Sequence, residues 1–162
     1  MLGKLFLAFC VAVLLVGGDE YDNNIRFSIY TEGKSLPSFF NETTTQHCDK
    51  GAKFSIITHG WMGSTAPWIE DLISNLTVFR GGCTIFMNYS YYSDTINYAA
   101  VVVHFQPISN LLLRKLNQLK SEGVTGDQIF MFGFSFGGRL VIDAALNFGT
   151  SLIDKIDSNY SL

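Results

Sequence analysis

A short apolar run that ends in a cluster of glycines around one serine constrains this chain more than any other feature. The run is Ile129–Phe132, and Gly133-Phe134-Ser135-Phe136-Gly137-Gly138 follows it directly. A continuous apolar run of this kind is typical of a strand buried on both faces of a parallel sheet. Apolar side chains then recur at helical spacing up to Gly149. The sequence therefore predicts a strand, a tight turn and a helix in immediate succession.

The turn has the spacing G-x-S-x-G, which has a physical reason. A serine at the tip of a tight strand-to-helix turn has a strained backbone, which is tolerated where the residues two positions away lack side chains. Such a turn presents the Ser135 hydroxyl above the sheet and directs the Phe136 backbone N–H to the place where an oxyanion would form. The pattern predicts a nucleophile elbow with Ser135 as the nucleophile. A chance occurrence of the motif is the alternative.

Short strand patterns alternate with longer helical patterns along the rest of the chain. Strands are predicted at 25–30, 54–58, 84–87 and 129–132, and helices at 68–78, at 101–119 and from about 137 to 148. Pro107 interrupts the second helical pattern, so that helix either begins there or is kinked. Residues 34–50 are polar and contain Pro37, so we expect a loop. The alternation implies one α/β domain with a mostly parallel sheet and helices on both faces.

The first residues have the layout of a secretory signal peptide. Lys4 precedes an unbroken apolar run of 12 residues from Leu5 to Val16, and Gly17-Gly18 leads into an acidic stretch. This run is short for a helix that crosses a hydrocarbon core of about 30 Å. We expect residues 1–18 to be a signal peptide and residues 19–162 to be a secreted, extracellular chain with no transmembrane segment. An uncleaved anchor is the alternative.

The composition argues against several classes of function. Charged residues make up only 15% of the chain, hydrophobic residues 48%, and the formal net charge is −3. These values argue against a disordered tail and against a nucleic-acid binder that depends on excess Lys and Arg. The chain has no C-x-x-C motif and no Cys/His cluster with zinc spacing, so we expect no structural metal and no cofactor.

The cysteines and the glycosylation motifs agree with secretion. Once Cys10 has left with the signal peptide, Cys48 and Cys83 remain, and an oxidising compartment favours a disulfide between them. Two free buried thiols are the alternative. Motifs of the form Asn-X-Ser/Thr, which carry glycans when they lie on the surface, occur at Asn41, Asn75, Asn88 and Asn159. Asn88 follows a strand pattern and is expected to be the least accessible of the four.

A second segment with catalytic character follows the strand predicted at 54–58. It is Thr58-His59-Gly60-Trp61. Acyl transfer needs two donors for the developing oxyanion, and in α/β-hydrolases one of them is a backbone N–H in the loop after an upstream strand. The N–H of Trp61 occupies that position. The alternative is a packed loop histidine beside a surface aromatic residue.

From about Ile25 to Gly149 the chain resembles the secreted lipases related to pancreatic lipase, a branch of the α/β-hydrolases. Three segments carry the resemblance: 58–61 is similar to the family's oxyanion loop, 98–123 to the following helix, and 133–137 to its nucleophile elbow. The resemblance implies that Ser135 is the nucleophile and that Trp61 and Phe136 supply the oxyanion N–H groups. It also implies that the substrate is an acylglycerol or phospholipid ester at a lipid interface.

The chain departs from the family's pattern beside both motifs. Phe134 and Phe136 flank the serine where the family usually has His or a similar residue before it and Leu after it. Asn88-Tyr89 follows the third strand where the family commonly has Asp-Trp. The first of these differences changes the immediate surroundings of the proposed nucleophile.

The order of the catalytic triad in this fold is serine, then acid, then histidine. No histidine follows Ser135; the three histidines, which all precede it, are His47, His59 and His104. The acid would lie at a strand end near Asp154 and Asp157, and Asp157 is the candidate. The sequence thus predicts a secreted serine ester hydrolase of the lipase class, truncated after the elbow helix and inactive by itself. A non-catalytic secreted lipid-binding or yolk-type storage protein is the alternative.

Overall fold

A mostly parallel sheet of six strands forms the centre of the computed structural model, which describes residues 20–32, 34–38, 44–49 and 51–159. The strands are β1 (Arg26–Thr31), β2 (Lys34–Ser38), β3 (Phe54–Thr58), β4 (Cys83–Asn88), β5 (Ile129–Phe134) and β6 (Lys155–Asn159). Their spatial order is β2-β1-β4-β3-β5-β6. The four strands from β4 to β6 are parallel, whereas β1 is antiparallel to both of its neighbours.

Helices cover both faces of the sheet, as the alternation of patterns predicts. They are α1 (Pro67–Asn75), α2 (Ser90–Ser93), α3 (Tyr98–Val102), α4 (Phe105–Ser121) and α5 (Phe136–Phe148). Ile56 and Met131 of the sheet belong to a large core with α4 and α5, whereas Ile57 belongs to a smaller core with Ile69 and Ile73 of α1. Successive strand residues point to opposite faces, so adjacent residues of β3 supply both cores. The α/β class is confirmed.

The long helical pattern around Pro107 consists of two helices. α3 ends at Val102, and α4 begins at Phe105 with His104 as its N-cap. Pro107 is therefore the third residue of α4, where the missing N–H removes no hydrogen bond within the helix. Gly123 follows the end of α4 with φ 96°, a conformation that favours glycine.

Two strands lie where the sequence predicted none. β2 belongs to the segment 34–50, which was expected to be a loop, and it pairs with β1 at one edge of the described sheet. Pro37 is tolerated there because an edge strand does not need every backbone N–H for pairing. β6 follows α5 and pairs in parallel with β5. One further strand of the sheet therefore follows the elbow helix, where the sequence predicted none.

β6 covers the side of β5 that would otherwise be an open apolar edge. It replaces that edge with a polar strand, in which Lys155 and Asp157 form an ion pair of 2.8 Å. Charged side chains on an edge strand oppose further pairing between chains. The edge of β5 is therefore paired within this chain.

Within the described residues, no helix is both long and apolar enough to cross a bilayer. The predicted signal peptide and the predicted glycosylation site at Asn41 lie outside these residues.

A disulfide joins Cys48 to Cys83, with 6.0 Å between the two Cα atoms. Cys83 is the first residue of β4, and both cysteines are buried in the large core. The bond therefore ties the segment that precedes β3 to the start of a central strand. Of the two alternatives that the sequence left open, the structure has the paired cysteines.

We predict that replacing both cysteines, in Cys48→Ala/Cys83→Ala, lowers the free energy of unfolding by about 4 kcal/mol. The reason is that the bond closes a loop with a sequence separation of 35 and restricts the unfolded chain. Denaturant unfolding of the oxidised protein, the reduced protein and the double variant measures the effect. Equal midpoints for all three would contradict the prediction.

Candidate active site

Ser135 lies at the corner between β5 and α5. It is the N-cap of α5 and has φ 53° and ψ −117°, a strained conformation for a residue with a side chain. Its backbone N–H donates to the carbonyl of Asn159 in β6 at 2.7 Å, and the N–H of Gly138 donates to the Ser135 carbonyl at 3.0 Å. The corner is thus held by the neighbouring strand on one side and by the first turn of the helix on the other.

Two glycines allow the backbone to pass through this corner without collision. A Cβ on Gly133 would lie 2.4 Å from the carbonyl oxygen of Gly137, and a Cβ on Gly137 would lie 2.2 Å from that of His59. The hydroxyl of Thr58 also donates to the Gly137 carbonyl at 2.9 Å. The elbow and the loop after β3 are therefore in direct backbone contact, and neither glycine position has room for a side chain.

We predict that Gly137→Ala lowers the free energy of unfolding by about 1–3 kcal/mol, because its Cβ would collide with the His59 carbonyl. Alanine is the better helix former by about 1 kcal/mol, so a loss of stability has to come from the collision. Gly51→Ala is the matched control, since a Cβ there would meet only Asp49 Oδ1 at 3.7 Å. Thermal and denaturant unfolding compare the variants, and equal stabilities would contradict the prediction.

The loop after β3 passes directly beside the serine. A Cβ on Gly60 would lie 3.2 Å from the Cβ of Ser135, so the loop touches the proposed nucleophile. Met62 has φ 51°, and its N–H donates to the Ser93 carbonyl at 3.3 Å. By contrast, the N–H groups of Trp61 and Phe136 have no acceptor among the residues that the structure describes. Two free donors at such positions are what an oxyanion hole requires.

The side chain of Trp61 packs across the loop that follows β4. Its indole Nε1 donates to the Thr95 carbonyl at 2.6 Å, and its ring contacts the ring of Tyr98 edge to face, with centroids 5.2 Å apart. The indole remains 38% exposed. The loop is therefore anchored through Trp61, although part of the ring faces solvent.

His59 is fully buried, and both of its ring nitrogens have partners. Nδ1 lies 2.8 Å from the Gly60 carbonyl oxygen, to which only an N–H can donate, and the Tyr89 N–H donates to Nε2 at 3.2 Å. This pattern requires the neutral ring with its proton on Nδ1. Burial lowers the pKa of His59 and outweighs the hydrogen bond to Gly60 and the charge of Asp94, which raise it. His59 therefore shapes the loop and is not free to accept a proton from Ser135.

We predict that protonation of His59 destabilises the fold at acidic pH. The unfolded chain binds a proton at this residue as the pH falls through about 6.5, whereas the folded chain resists protonation because its pKa is lower. The free energy of unfolding should therefore be highest above that pH and should fall as the pH decreases toward the folded-state value. Denaturant unfolding at a series of pH values measures this dependence.

The same measurement on His59→Gln should give a shallower dependence on pH, since the variant cannot be protonated at this position. His47→Gln, which changes an exposed histidine in a turn, is the matched control. An unchanged slope in His59→Gln would show that this residue does not cause the loss of stability.

The other two histidines form no hydrogen bond with Ser135 in the described part of the chain. His104 Nδ1 is 2.9 Å from the hydroxyl of Tyr21, and its ring lies 4.7 Å from that of Tyr92. His47 directly precedes Cys48, which forms the disulfide with Cys83 at the amino end of β4. Ser135 follows the carboxyl end of β5, so the two residues lie at opposite ends of the parallel strands. Within the described ranges, no side chain forms a hydrogen bond with the Ser135 hydroxyl. The structure therefore brings none of the three histidines into the position of a general base.

The two acidic candidates also have other partners. Asp157 lies within β6, two residues before its end, and its carboxylate contacts Lys155. In register, Asp157 is opposite Phe132, three residues before Ser135. Asp154 forms an ion pair with Arg80 at 3.0 Å. The structure does not join either carboxylate to a histidine within the residues it describes.

The remaining predicted sites differ in accessibility. Asn75, at the end of α1, and Asn159, at the end of β6, are exposed. Asn88 is partly buried, and its Oδ1 accepts a hydrogen bond from the Ser90 N–H at 2.9 Å. In the part of the chain that the structure describes, no three His, Cys, Asp or Glu residues are grouped as a metal site.

Sequence reasoning missed the importance of Tyr89, which it noted only as a departure from a family pattern. Tyr89 is fully buried and stacks on His59 with ring centroids 4.1 Å apart and an interplanar angle of 9°. Its hydroxyl donates to the His59 carbonyl. The parallel pairing of β3 and β4 could have revealed this contact. Thr58 is opposite Met87, so the residues that follow the two strands meet at one edge of the sheet.

Comparison with known proteins gives a distant relationship to lipases. No protein-family model matches the chain. It is 26% identical over 102 residues to Lipase member H of Xenopus tropicalis. The aligned region covers 62% of this chain and 22% of that protein. The chain is 22% identical over 120 residues to Lipase member H of Oryctolagus cuniculus and of Mus musculus, covering 72% of this chain and 26% and 27% of those proteins. The aligned part of the chain thus spans about a quarter of these relatives. The similarity supports a relationship to the lipase family.

Proposed function

We propose that this chain contains the nucleophile and the oxyanion hole of a secreted serine ester hydrolase of the lipase class. One observation carries the proposal: Ser135 lies at a strained strand-to-helix corner and touches the loop after β3. The backbone N–H groups of Trp61, in that loop, and of Phe136, beside the serine, have no acceptor among the described residues. The similarity to Lipase member H supports an ester of a lipid as the substrate. The predicted signal peptide and the disulfide support an extracellular location.

The proposed reaction is acyl transfer to Ser135. The serine hydroxyl gives its proton to a base while its oxygen attacks the ester carbonyl carbon, and the carbonyl oxygen gains the negative charge of a tetrahedral intermediate. When the intermediate collapses, the ester C–O bond breaks, the alcohol leaves with the proton from the base, and the acyl group remains on Ser135. The N–H groups of Trp61 and Phe136 donate to this oxygen, and the positive end of the α5 dipole adds to the stabilisation. Donors that are fixed before the reaction need no reorganisation when the charge forms.

The exposed apolar side chains around the site favour a lipid over a polar ester. Met62, which follows Trp61 in the sequence, is 55% exposed, and Ile96, two residues before Tyr98, is 87% exposed. These side chains form an apolar rim on the loops after β3 and β4. Such a rim suits an acyl chain or a lipid surface better than a charged substrate.

The proposal requires a general base that the described residues do not supply. A serine hydroxyl is a weak nucleophile until a base accepts its proton. His59 is buried and doubly hydrogen-bonded, while His47 and His104 lie elsewhere in the fold. We therefore expect this chain to have little or no esterase activity by itself, because none of its three histidines is placed to accept the proton of Ser135.

A non-catalytic lipid-binding or storage protein is the second candidate. The specific observation that favours it is the Ser135 hydroxyl, which has no hydrogen-bond partner within the described part of the chain. The same apolar rim would then bind lipid without cleaving it. A test of function therefore has to separate a serine that lacks only its base from a serine with no catalytic role.

We predict that added imidazole restores Ser135-dependent ester hydrolysis to the purified chain. In the absence of imidazole, the chain and the control Ser135→Ala should hydrolyse p-nitrophenyl butyrate at the same rate, since only residual effects of the oxyanion hole are left. With imidazole present as an external base, the chain should exceed Ser135→Ala, and the exposed-site control Ser151→Ala should behave as the unmodified chain. The imidazole reaction in buffer is subtracted.

Two outcomes would contradict this interpretation. Equal rates for the chain and Ser135→Ala at every imidazole concentration would favour the non-catalytic candidate. Rapid hydrolysis without imidazole that disappears in Ser135→Ala would show that a histidine of this chain acts as the base.

A further inference from the structure

We propose that Tyr89 is a positioning residue for the oxyanion hole, holding His59 so that the Gly60–Trp61 peptide presents its N–H to the serine. The inference rests on the proposed function of Ser135, but the geometry that it invokes can be measured independently. Tyr89 would act through His59 and Gly60 and would not touch the substrate.

Tyr89 and His59 contact each other at three points. The Tyr89 backbone N–H donates to His59 Nε2, and the Tyr89 hydroxyl donates to the His59 carbonyl. The two rings lie nearly parallel between these hydrogen bonds. A residue that binds both the ring and the backbone of His59 fixes the side-chain rotamer and the peptide plane together.

The ring of His59 transmits this constraint to the next peptide. Its Nδ1–H donates to the Gly60 carbonyl at 2.8 Å, and the Gly63 N–H donates to the same oxygen at 3.2 Å. In a trans peptide the C=O and the N–H point in opposite directions. The Trp61 N–H therefore points away from both of these donors, and it is one of the two free N–H groups beside Ser135.

The carbonyl that Tyr89 holds is also the point where the loop meets the elbow. The same His59 oxygen would lie 2.2 Å from a Cβ on Gly137, in the first turn of α5. The ring of Tyr89 lies 6.1 Å from that of Phe136, the residue with the second free N–H. Tyr89 thus packs between the two segments that carry the proposed oxyanion donors.

The hydroxyl is the part of Tyr89 that the proposal depends on. Burial raises the pKa of Tyr89, so the hydroxyl keeps its proton and remains a donor at neutral pH. Phenylalanine would keep the stacked ring and the backbone N–H but would remove the hydrogen bond to the His59 carbonyl. Tyr89→Phe therefore tests the hydroxyl with the smallest change in volume.

The first experiment compares amide spectra of the ¹⁵N-labelled chain, Tyr89→Phe and the control Tyr91→Phe. Tyr91 is 68% exposed, so its hydroxyl is not part of the contact. We expect Tyr89→Phe to shift or broaden the Gly60 and Trp61 amide signals, while Tyr91→Phe leaves them unchanged. Unchanged signals in Tyr89→Phe would overturn the proposal.

The second experiment measures the affinity for butylboronic acid, which imitates a tetrahedral intermediate. Boron accepts a lone pair from Ser135 Oγ, the hydroxyl proton passes to solvent, and the adduct becomes anionic and tetrahedral. We expect binding that Ser135→Ala abolishes and that Tyr89→Phe weakens about tenfold, because one oxyanion donor is misplaced. Tyr91→Phe should bind as the unmodified chain.

The two measurements separate the possible failures. If Ser135→Ala binds boronate as well as the unmodified chain, the proposed function is wrong, and the amide spectra still decide the role of Tyr89. If binding depends on Ser135 but Tyr89→Phe binds with unchanged affinity, the positioning role is wrong.

A pH titration of the unmodified chain keeps the proposal testable even if Tyr89→Phe does not fold. Protonation of His59 places a hydrogen on Nε2, which can then no longer accept the Tyr89 N–H. The groups that act on His59 are Asp94, whose charge raises its pKa, and the neutral side chains of Asn88 and Tyr89. The Trp61 amide should titrate with His59, with a midpoint that falls further in Asp94→Asn. A Trp61 amide that does not follow His59 would overturn the proposal.

Discussion

The backbone contact between the His59 carbonyl and Gly137 is the constraint on which the candidate site depends. Any Cβ on Gly137 would lie 2.2 Å from that oxygen, so the loop after β3 can approach the elbow only because the side chain is absent. The approach brings Gly60 against Ser135 and allows Thr58 to donate to the Gly137 carbonyl. A larger residue at Gly60 or at Gly137 would separate the serine from the proposed second backbone donor.

Parallel pairing explains why this contact forms where it does. β4, β3 and β5 are neighbours that run in one direction, so the residues that follow them meet at one edge of the sheet. That edge receives Tyr89 from one strand, His59 from the next and Ser135 from the third. Ligand and catalytic sites of open α/β sheets form at this edge, outside the carboxyl ends of the strands.

The sequence was most informative for elements that are buried on both sides. The strands β3, β4 and β5 are short and mostly apolar because helices cover both faces, and each was predicted within two residues of its bounds. β2 and β6 are edge strands, in which polar residues are tolerated, so their patterns do not differ from those of loops. The bounds of α5 were predicted because glycines precede and follow it.

The site was predictable only where a local motif determines the geometry. Ser135 and its flanking glycines define a turn within six residues, so spacing alone placed the serine at the corner. His59 is a packed loop histidine, and its ring also holds the Gly60 carbonyl of the loop that we propose to carry an oxyanion donor. Tyr89 could not be assigned from spacing, because its contact with His59 joins residues 30 positions apart.

In the proposed chemistry, stabilisation of the oxyanion and removal of the serine proton depend on different parts of the structure. The proposed oxyanion donors are held by backbone contacts, by buried aromatic rings and by a neutral histidine, all of which lie at the carboxyl ends of neighbouring strands. The base has to reach Ser135 from its solvent side, because the buried side is filled by Gly60 and by the first turn of α5. A residue that approaches from solvent needs no change in the contacts that hold the donors. The proposed oxyanion hole can therefore be fully formed although no residue that the structure describes is placed as a base beside Ser135.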